Sequence, residues 1–103
     1  MAKMVKYSIE YSRKAESDLG WLTKRQCAVV LDAVDDQLVV LPTLETRNRK
    51  RLRPNPVVPW ELRIGNLRVF YDVTDDPQPL VQVLAVGVKL GHRLLIGGET
   101  VDL

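Results

Sequence analysis

The sequence contains little cysteine and little histidine. Cys27 and His92 are the only residues of these types among 103. A single cysteine excludes an internal disulfide framework and a cysteine-based zinc site, and it is compatible with a reducing compartment. The sequence also has no glycine-rich phosphate loop, no cluster of metal-ligating residues and no Ser/His/Asp arrangement. We therefore expect no metal and no cofactor.

Long hydrophobic runs are absent as well. The longest strongly apolar stretch, residues 80–88, is interrupted by Gln82, whereas a membrane-spanning helix needs about 20 apolar residues. Residues 1–6 carry charge without an apolar segment behind them, so we expect no secretory signal. With 46% hydrophobic and 27% charged residues, residues 1–103 are predicted to form one soluble, cytoplasmic domain with no membrane partner.

Positive charge is concentrated in one segment, although the net charge is only +2. Residues 47–71 contain seven basic residues against Glu61 alone, whereas residues 1–46 and 72–103 are net acidic. Such a segment attracts polyanions, of which phosphate backbones are the commonest. We call its first part the basic run, and expect it on a loop: Arg47, Arg49, Lys50, Arg51 and Arg53. The alternative is a solvated basic loop without a partner.

The first half of the chain is predicted to form a strand and two helices. Residues 7–11 alternate between apolar and polar, which is typical of a half-buried strand. Ser12 and Thr23 are suited to cap the two helices. The second helix is expected to stop at Pro42, and its apolar face is predicted to consist of Cys27, Val30, Leu31, Val34, Leu38 and Leu41.

The second half of the chain is predicted to form strands. Prolines indicate an extended loop over about residues 53–60, and β-rich segments follow at 60–64, 67–73 and 80–88. The first two are joined by a two-residue hairpin turn, and the third is expected to be a buried central strand. The order β-α-α-β-β-β predicts an α+β domain with its helices on a mostly antiparallel sheet. In the tail, 90–103, Leu94 to Ile96 form either a short edge strand or a segment that crosses to a partner.

The hairpin register brings charged residues to one face of the sheet. Because the turn has two residues, Ile64 pairs with Leu67, so Arg63 faces Arg68 and Glu61 lies diagonally across. Like charges directly opposite each other are destabilising unless an anion lies between them. The face is therefore either an exposed salt-bridge network or a phosphate clamp, since guanidinium groups bind phosphate oxygens in pairs.

Two further residues with possible chemistry follow the apolar strand. His92 carries the side chain that titrates near neutrality without perturbation. A solvent-exposed histidine is the alternative, and Lys89 is equally consistent with a lysine that keeps a strand end soluble. The thiol of Cys27 is expected to be buried and structural. Trp21 and Trp60, with apolar neighbours, are expected to be core or staple residues and not base-stacking platforms.

These residues, in this order, resemble the RelE/ParE superfamily, the toxins of bacterial type II toxin–antitoxin systems. The resemblance covers about residues 5–90. It is carried chiefly by W-E-L-R-I-G-N-L-R-V-F-Y-D-V over residues 60–73 and by V-L-A-V-G-V-K over residues 83–89. It implies a small α+β fold in which two helices pack on a curved, mostly antiparallel sheet.

The resemblance also implies roles for individual residues. In the ribosome-dependent ribonucleases of this superfamily, the toxin enters the ribosomal A site and makes an mRNA ribose 2′-OH attack the adjacent phosphate. Arg68 matches the arginine that binds this phosphate, and Arg63 matches its supporting neighbour. Lys89 lies where some members carry the acid, with His92 as an alternative acid. Glu61 stands where one branch has a lysine base, and the base-stacking tyrosine of that branch has no counterpart.

Two functions therefore remain open. The first is a toxin that acts as an mRNA endonuclease (an mRNA interferase), which inhibits translation and arrests growth. Its partners would be the ribosome and mRNA, and the basic run would contact the RNA. The alternative is a ParE-like inhibitor of DNA gyrase that cuts no RNA. Both imply a cognate antitoxin, in a toxin–antitoxin hetero-oligomer or beside a toxin homodimer. The two hairpin arginines, the basic run and Lys89 favour the ribonuclease.

Overall fold

The computed structural model describes residues 5–52 and 59–101. Strand β1 (Ser8–Tyr11) precedes two helices, α1 (Arg13–Leu19) and α2 (Lys24–Gln37). The strands that follow are β2 (Arg49–Arg51), β3 (Trp60–Ile64), β4 (Leu67–Thr74), β5 (Leu80–Leu90), β6 (Arg93–Ile96) and β7 (Glu99–Val101). The predicted α+β class is confirmed. Arg53 and most of the loop expected over residues 53–60 lie outside the described residues.

The strands form one sheet in the order β2-β3-β4-β5-β6-β7. Neighbours in this order are antiparallel, and β1 pairs in parallel with the first half of β5. β5 is therefore the central strand that its apolar sequence predicts. Leu94 to Ile96 do form a strand, but the expectation of an edge strand is wrong, because β7 pairs with β6 on its other side.

The main core lies between the sheet and the two helices. Ser12 and Thr23 cap α1 and α2 as predicted, and Thr23 forms a capping box with Gln26. The residues that are fully buried on this side are Ala15, Val30, Val34, Leu38, Leu62, Val69, Tyr71, Val81, Val83 and Val86. None of the helices that the structure describes in residues 5–52 and 59–101 has the length and apolar character needed to span a membrane.

Helix α2 is shorter than the sequence predicts. It ends at Gln37, with Leu38 as its C-cap, and does not continue to Pro42. Leu41 follows with a left-handed φ of 53° and is 51% exposed. Leu31 is also exposed. The expectation that Leu31 and Leu41 belong to the buried face is therefore wrong, whereas Leu38 is the last buried residue of the pattern.

Side chains from the sheet hold the chain where it leaves α2. The guanidinium of Arg49 donates hydrogen bonds to the carbonyl oxygens of Gln37 (3.0 Å) and Leu41 (2.8 Å). The hydroxyl of Tyr71 donates to the carbonyl oxygen of Pro42 at 2.8 Å. Because the last carbonyls of a helix have no partner within it, Arg49 completes the end of α2 and explains why the helix stops early.

A bulge in β5 changes which of its residues face the helices. Val83 and Ala85 lie opposite Tyr71 and Phe70, which are neighbours in β4. Leu84, between Val83 and Ala85, has no partner in β4. A bulge shifts the alternation of side chains by one residue. Val83 and Val86 therefore both face the helices, although they are three residues apart.

Polar side chains of the α1 region bind the backbone at this bulge. The hydroxyl of Ser12 donates to the carbonyl oxygen of Leu84 at 3.2 Å. Asp18, only 2% exposed, accepts a hydrogen bond from the N–H of Val86 at 3.1 Å. It also forms an ion pair with Lys14 at 2.6 Å. The bulge thus gains partners for its backbone groups, and α1 is fastened to the central strand.

The two tryptophans differ in burial. Trp60 is 5% exposed and stacks on Tyr71 with 6.1 Å between ring centroids, which confirms its expected place in the core. Trp21 is 67% exposed, so it is not a core residue. Its ring lies over Gly98, where an added Cβ would stand 2.7 Å from the indole. Cys27 is half-buried on α2 rather than fully buried.

Candidate functional site

A cleft lies on the face of the sheet that the helices leave open. Its volume is about 330 Å³, and its lining residues are Leu52, Glu61, Arg63, Arg68, Lys89, His92, Leu94 and Val101. The structure therefore brings together all five residues that the sequence singled out for chemistry. Three of them carry a positive charge and one a negative charge, so the cleft is suited to an anion.

The hairpin of β3 and β4 supplies the first part of the cleft. Ile64 pairs with Leu67, and Arg63 lies directly opposite Arg68, which is the register that the two-residue turn predicts. Glu61 shares their face because alternate residues of a strand point to the same side.

Lys89 and His92 reach the same cleft from the end of β5. The backbone N–H of Lys89 donates to the carbonyl oxygen of Asn66, in the β3–β4 turn, at 2.7 Å. This bond holds the end of β5 against the hairpin that carries Arg68. His92 follows in the turn that leads into β6, and both side chains are exposed.

Gly87 is a residue of the site region that the sequence analysis did not identify. It lies opposite Arg68 on one side and opposite Ile96 on the other. A Cβ at this position would stand 2.5 Å from the carbonyl oxygen of Leu95. Only glycine therefore allows β6 to approach β5 so closely, and a glycine inside an apolar strand is the sequence signal for such an approach.

Arg63 and Glu61 form an ion pair within the cleft. The Nε of Arg63 donates to Oε1 of Glu61 at 2.6 Å. The Glu61 residue is 7% exposed, whereas the side chain of Arg63 is 48% exposed. The carboxylate is thus buried beneath a guanidinium that reaches the solvent.

The guanidinium of Arg68 is anchored by the turn. Its Nη1 donates to the carbonyl oxygens of Gly65 (2.8 Å) and Leu67 (2.9 Å). Arg68 is half-buried and lines the cleft. An arginine carries five N–H donors, so these two bonds leave donors for an anion.

An apolar cluster forms the rest of the cleft, and the sequence analysis did not identify it. Phe70, Ala85 and Ile96 are buried on this face of the sheet. Half-buried side chains of Leu52, Leu94 and Val101 pack against them and line the cleft. For Phe70 this position could have been predicted from the sequence, because Phe70 is two residues from Arg68 in the predicted hairpin and shares its face. The cleft thus has one cationic and one apolar side.

Comparison with known proteins agrees with this fold. No protein-family model matches the chain, and no curated protein is similar to it at a significant level. Among solved structures, it is similar to a chain of the toxin–antitoxin complex RelBE2 from Mycobacterium tuberculosis, with a TM-score of 0.72 and 28% identity over 86% of this chain and 98% of that one. The fold and this similarity identify the chain as RelE-like. It is a RelE-like toxin of a type II toxin–antitoxin system.

The central part of the basic run of this RelE-like toxin is a strand edge, so the expectation of a loop is wrong for Arg49 to Arg51. Arg49 to Arg51 form β2, with Arg49 opposite Leu62, Lys50 opposite Glu61 and Arg51 opposite Trp60. The loop prediction failed because three consecutive cations have no alternating apolar face, and pairing with β3 overrides this local preference.

The pleat of β2 divides the basic run between the two faces of the sheet. Lys50 shares the cleft face with its partner Glu61. Arg49 is bound to carbonyl oxygens after α2, and the guanidinium of Arg51 lies 5.8 Å from the ring centroid of Trp60. Arg47 is exposed beside the strand. Arg49 is therefore committed to the fold, and RNA contact by the other residues of the run stays a prediction.

In the part of the RelE-like toxin that the structure describes, no three His, Cys, Asp or Glu side chains come together as a metal site.

Proposed function

We propose that this RelE-like toxin is a ribosome-dependent mRNA endonuclease. The observation that carries the proposal is the gathering of Arg63, Arg68, Lys89 and His92 around one cleft. Its volume of about 330 Å³ is in the range of pockets that hold small ligands, and its cationic side suits a phosphodiester. Action on translating ribosomes would take place in the cytoplasm.

The proposed reaction uses a nucleophile that belongs to the RNA. The 2′-oxygen of one ribose attacks the adjacent phosphorus, and the bond from phosphorus to the 5′-oxygen of the next nucleotide breaks. The products are a 2′,3′-cyclic phosphate and a 5′-hydroxyl. Negative charge increases on the non-bridging phosphate oxygens, and Arg68 and Arg63 are placed to stabilise it.

Two protons move in this reaction. The departing 5′-oxygen must gain one, and Lys89 and His92, both exposed at the end of β5, are the candidate donors. The 2′-OH must lose one. Glu61 is the candidate acceptor from the sequence, but its burial and its hydrogen bond to Arg63 favour a role in positioning that arginine.

RNA contacts outside the cleft are proposed for the exposed part of the basic run. Arg47 and Lys50 are exposed, and Lys50 lies on the cleft face. Arg51 is exposed above Trp60 on the other face, and Arg53 stays a prediction. Neutralising Lys50 should reduce the slope of ribosome affinity against salt by about one unit if it contacts one phosphate.

We also propose that a cognate antitoxin binds this toxin and covers the cleft. The similarity to a chain of the RelBE2 toxin–antitoxin complex supports an antitoxin partner. An acidic antitoxin segment would neutralise Arg63, Arg68 and Lys89, so its affinity should fall with added salt. Affinity that is independent of salt, and unchanged in Lys50→Glu, would contradict this.

Single-turnover cleavage of mRNA bound to purified ribosomes tests the proposed reaction. A residue that stabilises transition-state charge contributes on the order of 3 kcal/mol, so Arg68→Ala should reduce the rate about a hundredfold or more. Arg68→Lys should recover only part, because lysine lacks the paired donors of guanidinium. Arg25→Ala, at an exposed position on α2, is the matched control and should leave the rate unchanged.

Two outcomes would contradict the proposal. If wild-type toxin leaves ribosome-bound mRNA intact but inhibits DNA gyrase in a supercoiling assay, the alternative function is correct. If Arg68→Ala cleaves at the wild-type rate, Arg68 does not bind the reacting phosphate.

A further inference from the structure

Glu61 has an unusual place for a carboxylate. It is 7% exposed, lies opposite the fully buried Phe70 on β4, and lies opposite Lys50 on β2. A buried charge is unfavourable unless it is paired and hydrogen-bonded. A charged Glu61 at this place therefore depends on its ion pair with a cation of the cleft, Arg63.

The ion pair with Arg63 determines which edge of that guanidinium faces the cleft. Oε1 of Glu61 accepts from Nε of Arg63 at 2.6 Å. The Nη1 and Nη2 edge then remains for a phosphate, which guanidinium groups bind with two parallel hydrogen bonds. The carboxylate itself reaches little of the cleft, since only 10% of its side chain is exposed against 48% for Arg63.

The opposite arginine has a separate anchor. Arg68 lies directly across from Arg63, where two like charges repel each other. Its Nη1 is bound to the carbonyl oxygens of Gly65 and Leu67 in the turn. Each guanidinium is thus held by its own acceptor, and the carboxylate of Glu61 offsets the repulsion between the pair.

We propose that Glu61 is a positioning residue, which fixes the guanidinium of Arg63 for phosphate binding and does not accept the proton of the 2′-OH. This role rests on the proposed ribonuclease function, because it assigns the task of Glu61 within that site. It follows from the geometry: the carboxylate is buried, and its observed hydrogen bond is to the arginine that reaches the cleft.

A double-mutant cycle between Glu61 and Arg63 tests the proposal. Single-turnover rates are measured between pH 6 and 9 for Glu61→Gln, for Arg63→Ala and for both together, with the exposed Glu16→Gln as control. We expect Glu61→Gln to reduce the rate about tenfold at every pH, and the double variant to match Arg63→Ala within about twofold, since coupled residues are not additive.

A proton acceptor would give a different result. If Glu61→Gln reduces the rate far more than Arg63→Ala does, Glu61 acts as the base independently of Arg63 and the proposal is wrong. The proposal is also wrong if the two effects multiply in the double variant, because Glu61 then does not act through Arg63.

A second measurement does not depend on cleavage. The Nε–H of Arg63, followed by NMR in the whole toxin, should exchange with solvent at least about tenfold faster in Glu61→Gln than in the wild type, since the charge-assisted hydrogen bond is lost. Exchange that is equally slow in both proteins would overturn the proposal. A wild-type toxin that cleaves no ribosome-bound mRNA would instead refute the proposed function, while this exchange measurement would still decide the position of Arg63.

Discussion

Arg49 and Lys50 are neighbours in β2 and both are basic, but their replacement should affect different properties: protein stability for Arg49 and ribosome binding for Lys50. Arg49 donates two hydrogen bonds to carbonyl oxygens after α2 and approaches the hydroxyl of Thr46 at 3.4 Å. Hydrogen bonds from a charged group contribute about 1.5–3 kcal/mol when buried. Because Arg49 is only half-buried, we expect Arg49→Ala to reduce the free energy of unfolding by about 2 kcal/mol.

The matched variant is Lys50→Ala, one residue along the strand. Lys50 is exposed and points to the cleft face, so its removal should change stability by less than about 0.5 kcal/mol. Thermal unfolding separates the two variants, since about 2 kcal/mol corresponds to roughly 10 °C in a domain of this size. The dependence of ribosome affinity on salt should instead change in Lys50→Ala, with a shallower slope than in Arg49→Ala. Equal melting temperatures for Arg49→Ala and wild type would refute the structural role of Arg49.

Three further outcomes are expected. Asp18→Ala should destabilise the protein by about 1–3 kcal/mol in urea unfolding, because the buried N–H of Val86 loses its acceptor. Its control Asp32→Ala, at an exposed position on α2, should cost less than about 0.5 kcal/mol; equal losses would contradict the account of the bulge. Burial raises the pKa of Tyr11 to about 12, so its contribution to stability is complete below pH 10 and is lost as the pH rises towards 12. Unfolding free energies from pH 9 to 12 should therefore decline less steeply in Tyr11→Phe than in wild type, and parallel declines would contradict this. Gly87→Ala should disrupt the pairing of β5 with β6, because its Cβ would stand 2.5 Å from the carbonyl oxygen of Leu95, and unchanged hydrogen-exchange protection of β6 would contradict it.

Local signals in the sequence account for much of the fold. Two-residue turns, N-caps and alternation depend on neighbouring residues, so the Arg63–Arg68 register and the caps Ser12 and Thr23 were predictable. The end of α2 was not, because it depends on Arg49 from a later strand. The bulge at Leu84 was equally hidden, since a continuous apolar run shows no change of alternation.

The candidate site divides in the same way. Glu61, Arg63 and Arg68 lie on one hairpin, so their shared face follows from its turn. To place Lys89 and His92 in the same cleft, one must know that β5 pairs with that hairpin. The resemblance to the RelE/ParE superfamily implied a shared site for these residues, whereas local sequence patterns did not. The division of the basic run was not predictable, because consecutive cations do not reveal on which side of a sheet each one lies.

The central claim is that Arg68 acts on a phosphate of mRNA in the ribosome, and mapping RNA 5′ ends in cells tests it most directly. Wild-type toxin expressed without its antitoxin should arrest growth and produce new 5′-hydroxyl ends inside translated codons. Arg68→Ala, at equal protein level and with antitoxin binding retained, should produce neither effect. Growth arrest with DNA breaks and intact mRNA, or undiminished cleavage by Arg68→Ala, would contradict the account.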